Sequence, residues 1–410
     1  MEEFLTLLPP MDALERMLSH LNLAPEPQSI RAQDALGRVL AESIHAPFPL
    51  PAFPRSTVDG YAVIAADTHG ASDSLPAYLR VSGEVLMGKE SGIRLDPGCC
   101  SSIHTGGMLP GNADAVVMIE NTQLVREGEV EVLRAAAPGE NVIGVGEDVR
   151  EGELVLQVGT RLRPVEIGGI SALGITQIQV ARQPKVGIIS SGDEIIPPGE
   201  PMHPGKVYDI NTYTLSDLVR EAGGLAIPYG IAADTYQALE SLASAALAEC
   251  DLVVLTAGSS LSSRDLTAKV IDSLGAPGVL VHGVNIRPGK PTILGVCKGK
   301  PVVGLPGNPA SALMIARLFL LPVLGAMLGL QSDRKSYPLE VPIRLNVSSA
   351  SGREDYIPVR LIEGEDGLAA EPLFGRSNQI FTLVKADGFV RIPADVTGIS
   401  AGEMVQVELL

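Results

Sequence analysis

Four short runs of buried-type residues alternate with helical patterns from residue 184 to residue 330, and this alternation constrains the fold more than any other feature. The runs read KVGIISSG, GLAIPYGI, DLVVLTAG and PVVGLPGN. Helical spacing appears at roughly 212–222, 234–249, 263–274 and 310–329. The alternation predicts a doubly wound α/β domain over residues 184–330, whose ligands bind beyond the carboxyl ends of the strands.

The rest of the 410-residue chain divides into three further predicted domains. Residues 1–45 and 145–183 are predicted to form a discontinuous N-terminal domain of helical and mixed structure. Residues 46–144 are predicted to form a β-rich inserted domain, because runs such as DAVVMIE alternate with Gly, Pro and Asn. Residues 331–410 return to alternating strands, which predict a C-terminal β barrel or sandwich.

Within the N-terminal domain, two segments carry apolar residues at helical spacing. The first contains Leu14, Met17, Leu18 and Leu21, and the second contains Ile30, Ala32, Leu36 and Val39. We therefore expect two helices between residues 11 and 42.

The formal net charge of −17 argues against a general nucleic-acid or anionic-membrane binder, since both need a basic face. Any anionic ligand must therefore meet a local basic patch. The acidic N-terminus lacks the positive charge of a signal peptide, and the four cysteines show no metal-ligand spacing, so we expect a cytoplasmic protein. The apolar stretch from Leu313 to Leu330 is interrupted by Arg317 and Pro322, which favours a buried or interface helix over a membrane span.

A loop of small residues follows the third apolar run. Seven of the eight residues from Thr256 to Ser263 are Thr, Ala, Gly or Ser. Such a loop leading into a helix suits a phosphate group, because the free N–H groups and the helix dipole both favour an anion. The alternative is an ordinary strand-to-helix turn in which Ser262 caps the helix and Asp265 completes a capping box.

Acidic residues gather near the same predicted edge, namely Asp193, Glu194, Asp209, Asp234 and Asp265. Carboxylates beside a phosphate loop are how proteins hold Mg²⁺, which prefers oxygen ligands. Each of these residues has a helix cap as its alternative role, and capping is the favoured interpretation for Asp234, which precedes TYQALESL. Glu194 and Asp265 are the better metal candidates.

Two cations flank a restricted turn in IRPGKP. Arg287 and Lys290 stand on either side of Pro288 and Gly289, and such a turn directs both side chains to one place. The alternative is a solvated charged turn.

The segment GLPGNPAS, residues 304–311, runs from a buried strand into a helix. Pro306 and Pro309 stiffen this loop, and the amides of Gly307 and Asn308 are candidates for an anion or oxyanion pocket. The six histidines show no Ser/His/Asp or Cys/His arrangement. We therefore expect catalysis by positioning and electrostatics rather than by a covalent nucleophile.

Seven motifs, in order and spacing, resemble the MoeA family of molybdopterin molybdenumtransferases over essentially the whole chain. They are STVDGYAV (56–63), IHTGGMLPGNADAVVMIE (103–120), GEDV (146–149), SSGDEI (190–195), YDIN (208–211), IRPGKP (286–291) and GLPGNPAS (304–311). The resemblance implies a homodimer of four-domain chains. Its α/β domain would be similar to the MogA/MoaB module, and its C-terminal β barrel would complete the site of the partner subunit.

The same resemblance implies the reaction. The family inserts molybdate into adenylated molybdopterin and releases AMP, with Mg²⁺ as the cofactor. A MogA-like adenylyltransferase and molybdoenzyme acceptors would be the protein partners, with no role for nucleic acid or membrane.

The family's functional residues carry over by motif position. Asp193, Glu194 and Asp265 would hold the metal, and the catalytic set would be Asp265, Glu194, Lys290 and Asp234. The remaining candidates would bind substrate: Gly258, Ser259, Ser260, Ser262, Arg287, Pro306, Gly307, Asn308, Pro309, Asp59, Thr105, Asp148, Arg353 and Ser377.

Departures from the family pattern motivate alternatives. The loop keeps one glycine, Gly258, where relatives often have three, and Arg287 stands at a lysine position. NVIGVGED also lacks the arginines common before the GED element. One alternative is a non-catalytic molybdopterin-binding paralogue that acts as a carrier or assembly platform. Another is the neighbouring adenylylation step, which the flanking domains count against. Retention of Asp265, Glu194 and Lys290 favours the molybdenum-inserting enzyme.

Overall fold

The computed structural model describes residues 7–257, 261–331, 339–364 and 367–410, with the backbone alone for residues 261–265. The chain forms two compact units. The first comprises Met1–Ala41, Val158–Arg163 and Ile178–Leu410, and the second comprises Glu42–Gln157 and Pro164–Gln177. The predicted α/β and C-terminal domains both fall within the first unit, and the division into four domains stays a prediction.

A six-stranded sheet forms the α/β part of the first unit. Its strand order is Leu225–Ala232, Lys185–Ser191, Leu252–Ala257, Lys300–Pro306, Ile293–Cys297 and Pro277–His282. The first four strands are parallel, and Ile293–Cys297 pairs antiparallel with both of its neighbours, Lys300–Pro306 and Pro277–His282. The four predicted apolar runs supply the four parallel strands, because strands covered on both faces are apolar throughout.

Helices alternate with these strands as the sequence predicts, which confirms the doubly wound α/β arrangement. They are Asn211–Glu221, Tyr236–Glu249, Leu261–Leu274 and a final helical segment over Pro309–Met327.

The final helical segment contains most of the apolar stretch that was considered above as a possible membrane span. It consists of α-helical Pro309–Ile315, π-helical Ala316–Leu320 and α-helical Leu321–Met327. Within the described residues, it is the one segment that is long and apolar enough to cross a membrane by length and composition alone. Its Phe319 and Leu320 are fully buried in the same apolar cluster as Val254 of the sheet, so it packs as a core helix, as predicted.

The C-terminal residues form a second sheet in the same unit. Its order is Ile286–Arg287, Glu354–Gly364, Gly388–Ile392, Met404–Leu409 and Leu339–Pro342, with Gly367–Pro372 paired to Glu354–Gly364. A short pair, Val347–Ser348 with Gly398–Ile399, and the helix Ile380–Val384 complete this part. The first strand comes from the α/β part of the chain and pairs in parallel with Glu354–Asp355. This pairing attaches the turn that carries Arg287 directly to the C-terminal sheet.

The second unit is β-rich, as the sequence predicts for residues 46–144. Its six-stranded sheet has the order Ala115–Met118, Gly60–Val63, Cys99–Ile103, Ala77–Glu84, Glu129–Val132 and Thr122–Arg126. Two short pairs join Arg55–Ser56 with Val142–Ile143 and Ile44–His45 with Leu154–Leu156, and the unit also holds the helix Pro164–Ala172. Gly60 is required in the centre of the sheet, because a Cβ there would collide with the carbonyl oxygen of Val117.

The N-terminal region contains one helix where the sequence predicts two. Pro10–Leu18 is helical and buries Leu14 and Met17 in the α/β core. The predicted second helix is wrong. Pro27–Arg31 is a strand followed by the 3₁₀ turn Ala32–Asp34, because the strand pairs with Gln177–Ala181 far along the chain.

Candidate active site

A cavity of about 1020 Å³ lies between the carboxyl end of the α/β sheet and the C-terminal sheet. Predicted substrate residues line it from both sides. Arg287, Lys290, Pro306 and Asn308 come from the α/β part, and Arg353 and Ser377 come from the C-terminal part. The resemblance implies that the partner subunit supplies the C-terminal residues. In the structure, the chain's own Arg353 and Ser377 line this wall, since the Ile286–Arg287 strand pairs with the chain's own C-terminal sheet. A contribution from the partner subunit stays a prediction.

The turn between Arg287 and Lys290 is held by local bonds. The Thr292 hydroxyl donates to the Gly289 carbonyl at 2.6 Å, and the Val284 N–H donates to the Lys290 carbonyl at 3.0 Å. Gly289 has φ +117°, and a Cβ there would collide with the buried side chain of Ile315. Only glycine therefore allows the turn to pack closely enough to present both cations to the cavity.

The loop that follows the strand Lys300–Pro306 is hydrogen-bonded to the C-terminal part of the chain. The Asn308 side-chain amide donates to the Ser377 hydroxyl at 3.0 Å, and the Ala310 N–H donates to the Ser377 carbonyl at 3.1 Å. The Asn211 side-chain amide donates to the Gly307 carbonyl at 2.8 Å. Gly307 and Pro309 shape this loop without lining the cavity, so of the predicted loop residues Pro306 and Asn308 face the ligand space.

The cavity is cationic although the protein is acidic. Four cations line it, namely Arg287, Lys290, Arg353 and Arg376. One fully buried carboxylate, Asp355, contacts two of them: Arg353 Nε lies 2.8 Å and Arg287 Nη1 lies 3.7 Å from its oxygens. In a chain of net charge −17, this is the local basic patch that an anionic ligand needs.

Aromatic side chains line the same cavity. Phe374 is 66% exposed, while Tyr356 and Phe389 are buried. Burial raises the pKa of Tyr356, and the adjacent Glu354 carboxylate raises that pKa further. Tyr356 is therefore a neutral phenol, and its hydroxyl donates to Glu354 at 3.2 Å. The cavity thus combines cations with apolar faces, which suits a ligand that has both anionic groups and a flat ring.

Two of the predicted carboxylates lie together elsewhere on the α/β part. The Asp234 N–H donates to Asp193 Oδ1 at 3.2 Å, and the Asp193 N–H lies 3.4 Å from Asp234 Oδ2. The prediction that Asp234 caps the following helix is wrong, because the cap is Thr235, whose hydroxyl accepts from the Ala238 N–H. Glu194, the residue after Asp193, is exposed.

The described side chains contain no group of three or more His, Cys, Asp or Glu that could hold a metal ion. Asp193 and Glu194 offer the oxygen donors that Mg²⁺ prefers. The third predicted metal ligand, Asp265, has its side chain outside the described residues. The same holds for Ser262, while Gly258, Ser259 and Ser260 lie outside them altogether. The helix itself begins at Leu261, one residue before the predicted cap.

Asp193 also lines a separate cavity of about 560 Å³ on the α/β part. Its floor includes Asp209, which is buried and accepts bonds from the Ser190 hydroxyl at 3.1 Å and the Thr212 N–H at 3.1 Å. Thr256 donates to Ser190 at 3.2 Å and completes this network. Asp209 therefore has a structural role: its carboxylate accepts from an N–H in the first turn of Asn211–Glu221, although the N-cap position itself is Ile210.

In the second unit, two of the predicted residues contact each other. Thr105 donates to Asp59 Oδ1 through its N–H at 2.8 Å and its hydroxyl at 3.2 Å. The bond from the Thr105 N–H is the main reason that the pKa of Asp59 lies below its ordinary value, and His104 lowers that pKa further. Asp148 lies in the turn 146–153, where its N–H donates to the Leu50 carbonyl at 3.0 Å.

Sequence reasoning misses Arg376 and Phe374, which line the cationic cavity, and Asp355, which contacts two of its cations. Asp355 follows Arg353 by two residues at the start of the strand Glu354–Gly364, and this spacing, which puts two side chains on one side of an extended chain, could have identified it. Arg376 precedes the predicted Ser377 directly. No pattern in the sequence singles out Phe374.

The chain matches sequence profiles of one family along nearly its whole length. Residues 8–174 match the MoeA N-terminal region (domain I and II), residues 187–326 a probable molybdopterin binding domain, and residues 340–410 the MoeA C-terminal region (domain IV).

Individual relatives agree with these profiles. A putative molybdopterin biosynthesis protein of Methanocaldococcus jannaschii is 36% identical, and the match covers 97% of this chain and 95% of that protein. A molybdopterin molybdenumtransferase of Haemophilus influenzae is 31% identical over 97% of both chains. A crystal structure of the molybdopterin biosynthesis moeA protein from Pyrococcus horikoshii OT3 superposes with a TM-score of 0.86 at 32% identity, covering 99% of this chain and 100% of that one. With this fold, this cavity and these relatives, the chain belongs to the MoeA family.

Proposed function

We propose that the chain is a molybdopterin molybdenumtransferase, which inserts molybdate into adenylated molybdopterin and releases AMP. The observation that carries this proposal is the cationic cavity, in which Arg287, Lys290, Arg353 and Arg376 surround a space of about 1020 Å³. Molybdate and a pyrophosphate-linked pterin are both anions, so bringing them together requires such a concentration of positive charge.

The names of relatives at about 30% identity over nearly the full chain support this enzyme over the non-catalytic paralogue. The presence of all the flanking regions supports it over the adenylylation step, which the resemblance assigns to the isolated MogA-like module.

The cations have distinct tasks in this proposal. Lys290 neutralises the phosphate oxygens of the substrate, while the guanidinium groups of Arg287 and Arg353 hold oxyanions in a fixed orientation. The prolines and aromatic rings restrict the pterin, which brings its dithiolene sulfurs next to molybdate. Water cleaves the phosphoanhydride to give AMP and the phosphorylated pterin, and the two Mo–S bonds form as Mo–O bonds of molybdate break, with the released oxygen leaving as water that takes up the protons of the two thiols.

Mg²⁺ is proposed as the cofactor, with Asp193, Glu194 and Asp265 as the residues that would hold it through carboxylate oxygens. When bound, Mg²⁺ neutralises charge on the phosphates. The paired acids Asp193 and Asp234 support a carboxylate-rich end of the site.

Further features of the proposal concern the assembly and its setting. We propose a homodimer in which Asp59, Thr105 and Asp148 contribute across a cleft, and a cytoplasmic location that the four free, buried cysteines support. A MogA-like adenylyltransferase would supply the substrate, and molybdoenzymes would accept the product. The backbone bridge between Ile343 and Ala370 supports closure of the C-terminal sheet into a barrel.

The test is AMP release from adenylated molybdopterin in the presence of Mg²⁺, measured with and without molybdate. The proposal predicts release that depends on molybdate. Release at the same rate without molybdate contradicts it, as does tight binding of the pterin with no release. An incubation of molybdopterin with ATP serves as the control, because an adenylyltransferase consumes ATP and this enzyme does not.

A further inference from the structure

One buried carboxylate contacts cations on both walls of the cavity. Asp355 has no solvent exposure. Its Oδ1 accepts from Arg353 Nε at 2.8 Å, and its Oδ2 lies 3.5 Å from Arg353 Nη2 and 3.7 Å from Arg287 Nη1. Arg353 belongs to the C-terminal part of the chain and Arg287 to the α/β part, so a single side chain links the two guanidinium groups.

The backbone fixes Asp355 in place. Asp355 and Arg287 are register partners in the parallel pair of strands, and the Glu354 N–H donates to the Asn285 carbonyl at 3.1 Å. On its other side, Asp355 pairs with Ile392 of the C-terminal sheet. A carboxylate on a central strand moves little, so it provides a rigid reference for two long and otherwise flexible side chains.

The other cations of the cavity lack such an anchor. Neither the Lys290 ammonium group nor the Arg376 guanidinium group forms an ion pair with a residue that the structure describes. Arg287, although 63% exposed, and Arg353, at 34%, are the two whose planar groups are oriented. Orientation matters for a planar fork more than for the ammonium point charge of a lysine.

We propose that Asp355 is a positioning residue for anion binding: it holds the Arg353 and Arg287 guanidinium groups in the geometry that receives an oxyanion. The inference rests on the proposed function in taking the cavity to be an anion site. A simple charge argument predicts the opposite effect, because a carboxylate beside two arginines weakens the field that attracts an anion. The two accounts therefore differ in sign.

The experiment measures the affinity of sodium molybdate for the full-length protein by titration calorimetry at fixed ionic strength. Asp355→Asn removes the carboxylate charge in a side chain of the same shape. Positioning predicts molybdate binding weaker by about tenfold, the lower end of what is lost when a group that orients a metal-ligating side chain is removed. Tighter or unchanged binding in a folded Asp355→Asn protein overturns the proposal.

Glu354→Gln is the matched control. Glu354 is also buried, lies next in sequence, and forms a bidentate pair with Arg391 at 2.9 and 3.0 Å. The difference lies in the partners: Arg391 does not line the cavity, whereas Arg353 and Arg287, the partners of Asp355, do. The substitution removes a buried ion pair of the same kind, so we expect molybdate affinity within about twofold of wild type. A loss equal to that of Asp355→Asn overturns the proposal, because it assigns the effect to general weakening of the strand.

Arg287→Lys keeps the test decisive if Asp355→Asn does not fold. The side chain is largely exposed, so the substitution is tolerated, and it keeps the charge while removing the planar group that reaches Asp355. Positioning predicts several-fold weaker binding, and unchanged affinity overturns it. If the wild-type protein binds molybdate but releases no AMP, the proposed function is wrong. The positioning role of Asp355 is still tested in that case, because the molybdate affinities of the variants can be compared with that of the wild type.

Discussion

Among single residues, the cations of the cavity form a local basic patch that the overall charge does not reveal. A chain of net charge −17 repels anions at a distance, and Lys290 counters this locally because its ammonium group has no partner among the described residues. All three N–H donors of an unpaired ammonium group are available to a ligand.

Lys290→Ala is expected to lower kcat/KM for adenylated molybdopterin by about 10- to 100-fold, the range of one charge-assisted hydrogen bond. The control Lys185→Ala also removes one positive charge, at the amino end of the α/β sheet and away from the cavity. We expect it to change kcat/KM by less than about twofold. Steady-state AMP release measures both. Equal losses in the two variants would show that net charge, rather than the cavity, governs the reaction.

At the scale of elements, the site is held by two connections between the α/β part and the C-terminal sheet. One is the strand pair that carries Arg287, and the other is the bond between Asn308 and Ser377. Each loop is fixed at a point close to the residues that face the ligand. Changes in these loops are therefore expected to affect stability and activity together.

Gly289→Ala tests the turn. The new Cβ would collide with the side chain of Ile315, and the alanine would have to keep the positive φ of Gly289. We therefore expect a loss of about 2 to 4 kcal/mol in the free energy of unfolding. Gly299→Ala imposes a positive φ in open space and should cost about 1 kcal/mol. Urea unfolding compares the two, and similar costs would mean that packing against Ile315 does not shape the turn.

Ser377→Ala tests the second connection. It leaves the Asn308 amide without its 3.0 Å partner, and we expect a loss of about 1 kcal/mol together with a higher KM for the pterin. The control is Ser400→Ala, at an exposed serine of the C-terminal part that does not line the cavity. The prediction fails if the two variants have the same urea midpoint and the same KM.

The elements also show what the sequence can and cannot predict. Local periodicity predicts the α/β strands and helices well, because burial on both faces of a parallel sheet leaves long apolar runs. It fails at Pro27–Arg31, whose strand pairing with Gln177–Ala181 depends on a partner distant in sequence. The contact of Asp355 with Arg287 is missed for the same reason, since it joins residues from two different elements. Thr235 caps its helix next to Asp234, and composition alone does not choose between adjacent capping residues.

At the scale of the whole molecule, each compact unit contains a buried thiol with a strongly raised pKa. Burial raises the pKa of Cys100 to about 12 and that of Cys297 to about 11. A thiol whose pKa is higher in the folded state stabilises the fold fully below the unfolded value of 9.0. This stabilisation is lost as the pH rises through the folded value.

For Cys297 this loss amounts to about 1 kcal/mol between pH 8 and pH 10. Cys297→Ala should therefore show a smaller drop in the free energy of unfolding over that interval than wild type, by about that amount. Urea titrations at both pH values make the comparison. Parallel losses in the two proteins would mean that the Cys297 thiol ionises equally in the folded and unfolded states.

The proposed function requires AMP release and molybdenum insertion to be one coupled event. A single-turnover reaction with adenylated molybdopterin, Mg²⁺ and molybdate examines this coupling when both the AMP released and the molybdenum bound to the pterin are quantified. We expect equal amounts of AMP and pterin-bound molybdenum, formed at the same rate. AMP formed without pterin-bound molybdenum would exclude the coupling.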